Sequence, residues 1–188
     1  SREYFDRYEE MLRTSERLGQ KLIVYDDIDF PSGTAGGRLL REYPRYTRKL
    51  LEMQEFEVCG PARFEHPLAV SDTLRCMAVS AMETASRRIV DLGAAVRRDT
   101  LAGDVPDGGW KIMFFNCRYA VHPLVDYMEP EAVECCISMT YDQYAKRFGR
   151  YFGGVVDKVF FDDVGYVSME RTWTPAITGL FESRYGRP

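Results

Sequence analysis

Apolar residues at Tyr4, Phe5, Tyr8, Met11, Leu12 and Leu18 recur at intervals close to three and four, the spacing of one face of a helix. The pattern predicts a helix over 3–18, with Gly19 as its stop. "KLIVYDD" follows at once and reads as a short strand. Its apolar run does not alternate, which predicts a strand covered on both faces, as in a parallel sheet. After the loop "DFPSGTAGG", residues 38–53 read as a helix that Pro44 kinks or splits. The opening rhythm is helix, strand, helix, that of α/β architecture.

From about Glu55 to Cys117 the pattern changes to short β-type runs, among them "FEVCG", "ARFEHPLAV", "LRCMAVSAM" and "GGWKIMFFNCRY". "VPDGGW" (105–110) reads as a turn feeding a strand. An antiparallel meander or small sandwich is expected here. The α/β rhythm then resumes. "PLVDYM" is a brief extended segment, and 129–153 reads as one long helix with Pro130 in its first turn. "VVDKVFFDD" is a second buried strand filled by Phe160 and Phe161. "TWTPAITGLFESRYG" closes as a helix, with Thr174 as N-cap and Pro175 at its first position. The division predicted is 1–54 and 121–188 as α/β segments, with 55–120 as a β-rich insertion.

Composition narrows the function. The 188 residues are 45% apolar and 29% charged, with a net charge of −4 and a pI near 5.3. No basic patch supports a nucleic-acid partner, and no apolar run approaches the ~20 residues that span a bilayer. The charged, helical "SREYFDRYEEML" does not read as a signal peptide, and the compartment is left unassigned. Five cysteines without CxxC spacing, and only two histidines, argue against a zinc site. Cys135 and Cys136 read as buried free thiols.

Both predicted strands end in paired acids: Asp26 and Asp27 after "LIVY", Asp162 and Asp163 after "VFF". In α/β sheets and barrels, ligands bind at the carboxyl ends of strands. Unpaired buried acids are costly, so they gather where a strand opens onto a cleft, and Gly33, Gly36 and Gly37 let the chain turn there. Two carboxylates across a cleft suit glycoside hydrolysis, one as acid and the other as base or nucleophile. Tyr25, Phe30, Tyr166 and Trp173 supply apolar surroundings or sugar-stacking faces.

"LIVYDDIDFPSGTAGG" resembles the W-L-Y-D-E-x-x-W-P-S-G-x-A-G-G signature of large bacterial glycoside hydrolases related to α-L-rhamnosidases. The helix "EPEAVECCISMTYDQYAKRFGRYFG", the strand end "VFFDDVG", the segment "WTPAITGLFESRYG" and "VPDGGWKIMFF" are similar to further motifs of that family, in order along the chain. The resemblance implies an α/β fold: a partial (β/α) TIM-type barrel interrupted by a β-rich insertion, and a fragment of a larger enzyme, since a barrel alone takes about 250 residues. It implies Asp163 as general acid, with Asp27 contacting sugar hydroxyls or placing a water. Tyr25, Asp26, Phe30, Asp162 and Trp173 would form the substrate subsite, Asp162 as a brace. Where the family has glutamates, this chain has Asp27 and Asp163, each one methylene shorter.

The expected reaction is therefore hydrolysis of a rhamnoside- or galactoside-type bond, with carbohydrate as partner and no cofactor. Three other readings fit the residues. One is a non-catalytic carbohydrate-binding or scaffold protein derived from such a barrel. Another is calcium held by Asp26, Asp27 or Asp29 with loop carbonyls. The third is an unrelated α/β enzyme whose acids hold Mg²⁺. Open barrel edges would favour self-association.

Overall fold

In chain order, the computed structural model has α1 (Arg2–Leu18), β1 (Leu22–Tyr25), α2 (Arg38–Glu42), β2 (Lys49–Pro67), β3 (Leu74–Glu83), β4 (Ile89–Asp91), β5 (Val96–Arg97) and β6 (Thr100–Tyr119). After these come α3 (Pro130–Met139), α4 (Tyr141–Phe148), β7 (Val156–Phe160), β8 (Thr172–Trp173) and α5 (Ala176–Tyr185). Residues 1–26, 32–121, 124–162 and 171–186 are described. They divide into two units interleaved in sequence: Ser1–Thr47 with His122–Ser168, and Arg48–Val121 with Met169–Pro188.

The barrel expectation is overturned. The described strands form a two-stranded parallel sheet, β1 with β7, and a six-stranded antiparallel sheet containing β2–β6 and β8. Neither sheet closes on itself, and a barrel requires that its strands do. Most of the strand content lies in the antiparallel sheet.

In the first unit, α1 carries Leu12 into a core with Val24, Phe148, Tyr151 and Val156. Gly19 ends the helix in the left-handed conformation, φ 68°, which glycine adopts without a Cβ penalty. Aromatic edges lock α1 onto α4: Tyr8 meets Tyr144 at 5.2 Å between ring centres, and Phe5 meets Tyr144 at 5.7 Å. The two phenols of Tyr4 and Tyr144 share a hydrogen bond of 2.8 Å. A second cluster gathers Leu39, Tyr46, Val125, Ala132 and Cys136.

Several sequence expectations are corrected here. The helix over 38–53 stops at Glu42. A 3-10 turn at Pro44–Tyr46 follows, and the chain becomes strand from Lys49, because sheet pairing from Lys49 onward outweighs a helical propensity that Pro44 has already interrupted. The long helix over 129–153 is two helices. Thr140, at φ −112° and ψ −87°, breaks it, and its hydroxyl donates to the Cys136 carbonyl at 2.6 Å, competing with the helix ladder. The two parallel strands are not covered on both faces within this unit. Val24 is buried, whereas Ile23 is 54% and Phe160 49% exposed. Thr174 does not cap α5 through its side chain; Pro175 occupies the N-cap.

The second unit is built on β2 and β6, which pair from Lys49↔Tyr119 to Pro67↔Thr100. Along β2, Phe56, Val58, Ala62 and Phe64 are more buried, and Glu55, Glu57, Arg63 and Glu65 are exposed, the alternation of a sheet with one wet face. The inward set packs on Val79, Ala81, Leu101, Trp110, Ile112 and Phe114. His66 lies in the same layer, 4.5 Å from the Phe56 ring centre.

"VPDGGW" is a β-bulge rather than a turn. Gly60 pairs with Gly108 and Ala62 with Val105, so Pro106 and Asp107 face Pro61 alone. The bulge is tight: a Cβ on Gly60 would stand 1.8 Å from the Pro106 carbonyl oxygen. The reversal that does occur joins β5 to β6 through Arg98 and Asp99, with φ of 47° and 57°. Two-residue hairpins of this kind favour Asn-Gly, and two side-chain-bearing residues there store strain. Asp99→Gly is expected to raise unfolding free energy by about 1 kcal/mol, read as a higher urea midpoint with unchanged m-value.

Candidate functional site at the parallel strand ends

Tyr25 pairs with Phe160 at the carboxyl ends of β1 and β7. The two acid-tipped segments therefore leave the sheet side by side. Adjacent parallel strands lie about 4.8 Å apart, so side chains just beyond both ends share one small region.

Two acids there are held by the loop around Ser32. The Asp26 Oδ2 accepts from the Gly33 backbone N–H at 3.0 Å, while its Oδ1 is buried and has no hydrogen-bond partner among the described residues. Asp162 accepts from the Tyr25 hydroxyl at 3.1 Å, and its backbone N–H donates to the Ser32 Oγ at 2.9 Å. Ser32 is buried at 2% exposure, so it ties the loop after β1 to the end of β7 from inside the unit. The Tyr127 hydroxyl in turn donates to the Ser32 carbonyl at 2.7 Å, and the Cys136 thiol donates to the Gly33 carbonyl at 3.4 Å.

Beside these groups is an apolar hollow of about 460 Å³, lined by Val24, Tyr127, Cys136, Tyr141, Val159 and Phe161 among others. Tyr127 and Phe161 meet edge to face at 5.8 Å. The buried Tyr141 hydroxyl has no hydrogen-bond partner among the described residues. Burial, and secondly the nearby Asp26 charge, push the Tyr141 phenol well above its usual range. The same two causes, in the same order, push the Cys136 thiol up to about 11. Two groups that resist ionising thus stand near a carboxylate.

Of the residues singled out from sequence, Tyr25, Asp26 and Asp162 come together at this strand end. Trp173 belongs to the second unit, where it pairs through its backbone with Lys49. Asp27, Phe30 and Asp163 lie outside the described residues, as do Asp29 and Tyr166. Among the described residues no group of three or more His, Cys, Asp or Glu could hold a metal ion, and no helix is long and apolar enough to cross a membrane. All five cysteines are free thiols.

Sequence reasoning passed over Ser32, Tyr127 and Tyr141. Ser32 and Gly33 sit inside "PSGTAGG", where the run of turn-formers was legible but the buried hydroxyl's role was not. Tyr127 lay in a segment read only as extended. No protein-family model matches the chain, and no curated protein matches its sequence.

Gly33 is the tightest point of the site. Its φ is 95°, and an added Cβ would stand 1.4 Å from the Tyr127 hydroxyl. Gly33→Ala is expected to lower unfolding free energy by about 2–4 kcal/mol, from backbone strain plus the displaced Tyr127 hydrogen bond. Tyr127→Phe is expected to lose about 1 kcal/mol. Urea denaturation of both variants measures the difference.

Cys136 gives a pH signature. Its folded thiol titrates at about 11, against roughly 8.5 in an unfolded chain. The unfolded state therefore releases the proton first, and this group's contribution to stability falls as pH rises from about 8.5 to 11. Iodoacetamide labelling read by mass spectrometry is expected to modify the exposed Cys59 at pH 8.5 while Cys136 stays unlabelled.

Proposed function

We propose that the chain carries a glycoside-hydrolase-type carbohydrate site at the ends of β1 and β7. Hydrolysis of a rhamnoside- or galactoside-type bond is the reaction. The reading rests on one observation, the parallel pairing of Tyr25 with Phe160. This pairing starts both acid-bearing segments from neighbouring backbones, a separation compatible with the about 5–9.5 Å that glycosidases use between carboxyl groups. The motif resemblance and the aromatic hollow support it, since aromatic faces stack on the apolar faces of sugar rings.

In this reading Asp163 protonates the leaving oxygen, and Asp27 contacts sugar hydroxyls or places the attacking water. Asp26, Asp162 and Tyr25 hold the shape of the subsite. No metal or redox cofactor enters the reaction.

One observation favours a binding site without turnover. Asp26 and Asp162 already hold the Gly33 amide and the Tyr25 hydroxyl, so these two carboxylates serve the loop as well as any ligand. The chain retired from catalysis would keep sugar affinity through the aromatic hollow.

Hydrolysis of aryl α-L-rhamnosides and β-D-galactosides by the chain and by Asp163→Asn separates the two. Turnover that falls by at least about 100-fold in Asp163→Asn is the expected result, in line with loss of a general acid. Absence of turnover with saturable binding of the same glycosides establishes the binding reading. Neither turnover nor binding rejects a carbohydrate site.

A further inference from the structure

We infer that the second unit holds a separate binding pocket for a small amphipathic anion, one with an apolar body and a single anionic head. This inference is independent of the carbohydrate reading. The pocket has a volume of about 320 Å³, at the lower end of the range for small-molecule sites. Its walls include Val90, Leu92, Ala95, Leu101, Trp110 and Ile112. Side chains of this kind bind hydrocarbon or aromatic groups and offer nothing to a sugar's hydroxyls.

Two charged residues also line it, Arg88 and Asp104. They are not equivalent. Asp104 faces a cation already, Arg63, at 3.6 Å on the paired strand. Arg88 meets Glu83 at 3.8 Å from Nε, too far for a hydrogen bond. That Glu83 oxygen is already taken by the Ser86 hydroxyl at 2.5 Å. The Arg88 guanidinium carbon lies 5.7 Å over the Trp110 ring, a cation–π contact that holds the group above the apolar wall. Its terminal nitrogens make no hydrogen bond to any described residue, leaving a planar fork suited to carboxylate, sulfonate or phosphate oxygens.

Gly103 makes the pocket testable. It lines the space, and an added Cβ there meets nothing within 4 Å. A larger side chain at 103 enters the cavity without displacing backbone. Calorimetric titration of the full chain with octanoate, and with 1-octanol as the uncharged counterpart, is the experiment. Octanoate is expected to bind one to one. Gly103→Leu is expected to weaken it about tenfold or more, the equivalent of two lost methylene contacts. Arg88→Gln is expected to weaken octanoate several-fold and leave octanol unchanged. Far-UV circular dichroism confirms that both variants fold. No saturable binding of octanoate to the unaltered chain overturns the proposal, as does binding that Gly103→Leu leaves intact. Equal effects of Arg88→Gln on octanoate and octanol overturn the anionic part.

Discussion

The pairing of Leu22–Tyr25 with Val156–Phe160 is the constraint on which the first unit's organisation depends. Only four residues of each strand take part. Without that pairing, the loop containing Ser32 and Gly33 would have no second strand end to meet, and the Ser32 Oγ would have no Asp162 amide to accept from. The rest of the unit reinforces it. Burial of Val24 and Val156 with Leu12 and Phe148 fixes the strands against α1 and α4. The Tyr127 hydroxyl and the Cys136 thiol fasten the loop from the other cluster. Stability and site geometry are here the same interactions, so substitutions that loosen the loop also move the acids.

The second unit follows a different logic. Its order comes from length: β2 and β6 run together for nearly their whole extent, and the bulge at Pro61 absorbs the extra residues opposite without ending the ladder. The alternating inward face of β2 then leaves a layer of Phe56, Val58 and Phe64 over Trp110 and Ile112. A regular ladder with one wet face is also what leaves room for a pocket above Gly103, since a glycine on the inner face contributes backbone but no filling.

How far the sequence disclosed this depends on the range of the signal. The helix spacing of α1, its glycine stop, and the run of β content from Glu55 were local patterns and were legible. So was the coincidence of two acid-tipped strands, whose side-by-side placement the structure adds. The barrel was not a local pattern. It rested on resemblance and on reading "LIVY" and "VFF" as doubly buried. An apolar run states what a strand is suited to bury, whereas the neighbours that would cover Ile23 or Phe160 are a property of the whole fold. The break at Thr140 and the strand start at Lys49 were missed for a related reason: each depends on a bond or a pairing partner that propensity does not contain. "VPDGG" carried strong turn chemistry, yet a bulge uses the same residues. The proposed catalytic residues Asp27 and Asp163 were readable only as chemistry, and they lie outside the described residues.

The interleaving of the two units means that each is completed by a segment that follows part of the other. Residues 48–121 emerge together, with the β3–β4 and β5–β6 hairpins joined by short loops and β3 pairing with β6 across a longer one. Leu22, by contrast, has to wait for Val156. Loop closure over so long a span is slow. The β-rich run 48–121 lies inside that span. Thr47 and Val125, which flank it in sequence, meet as an isolated antiparallel bridge. The acid-bearing strand ends therefore meet only after the whole β-rich run has been made, and β8 and α5 follow them.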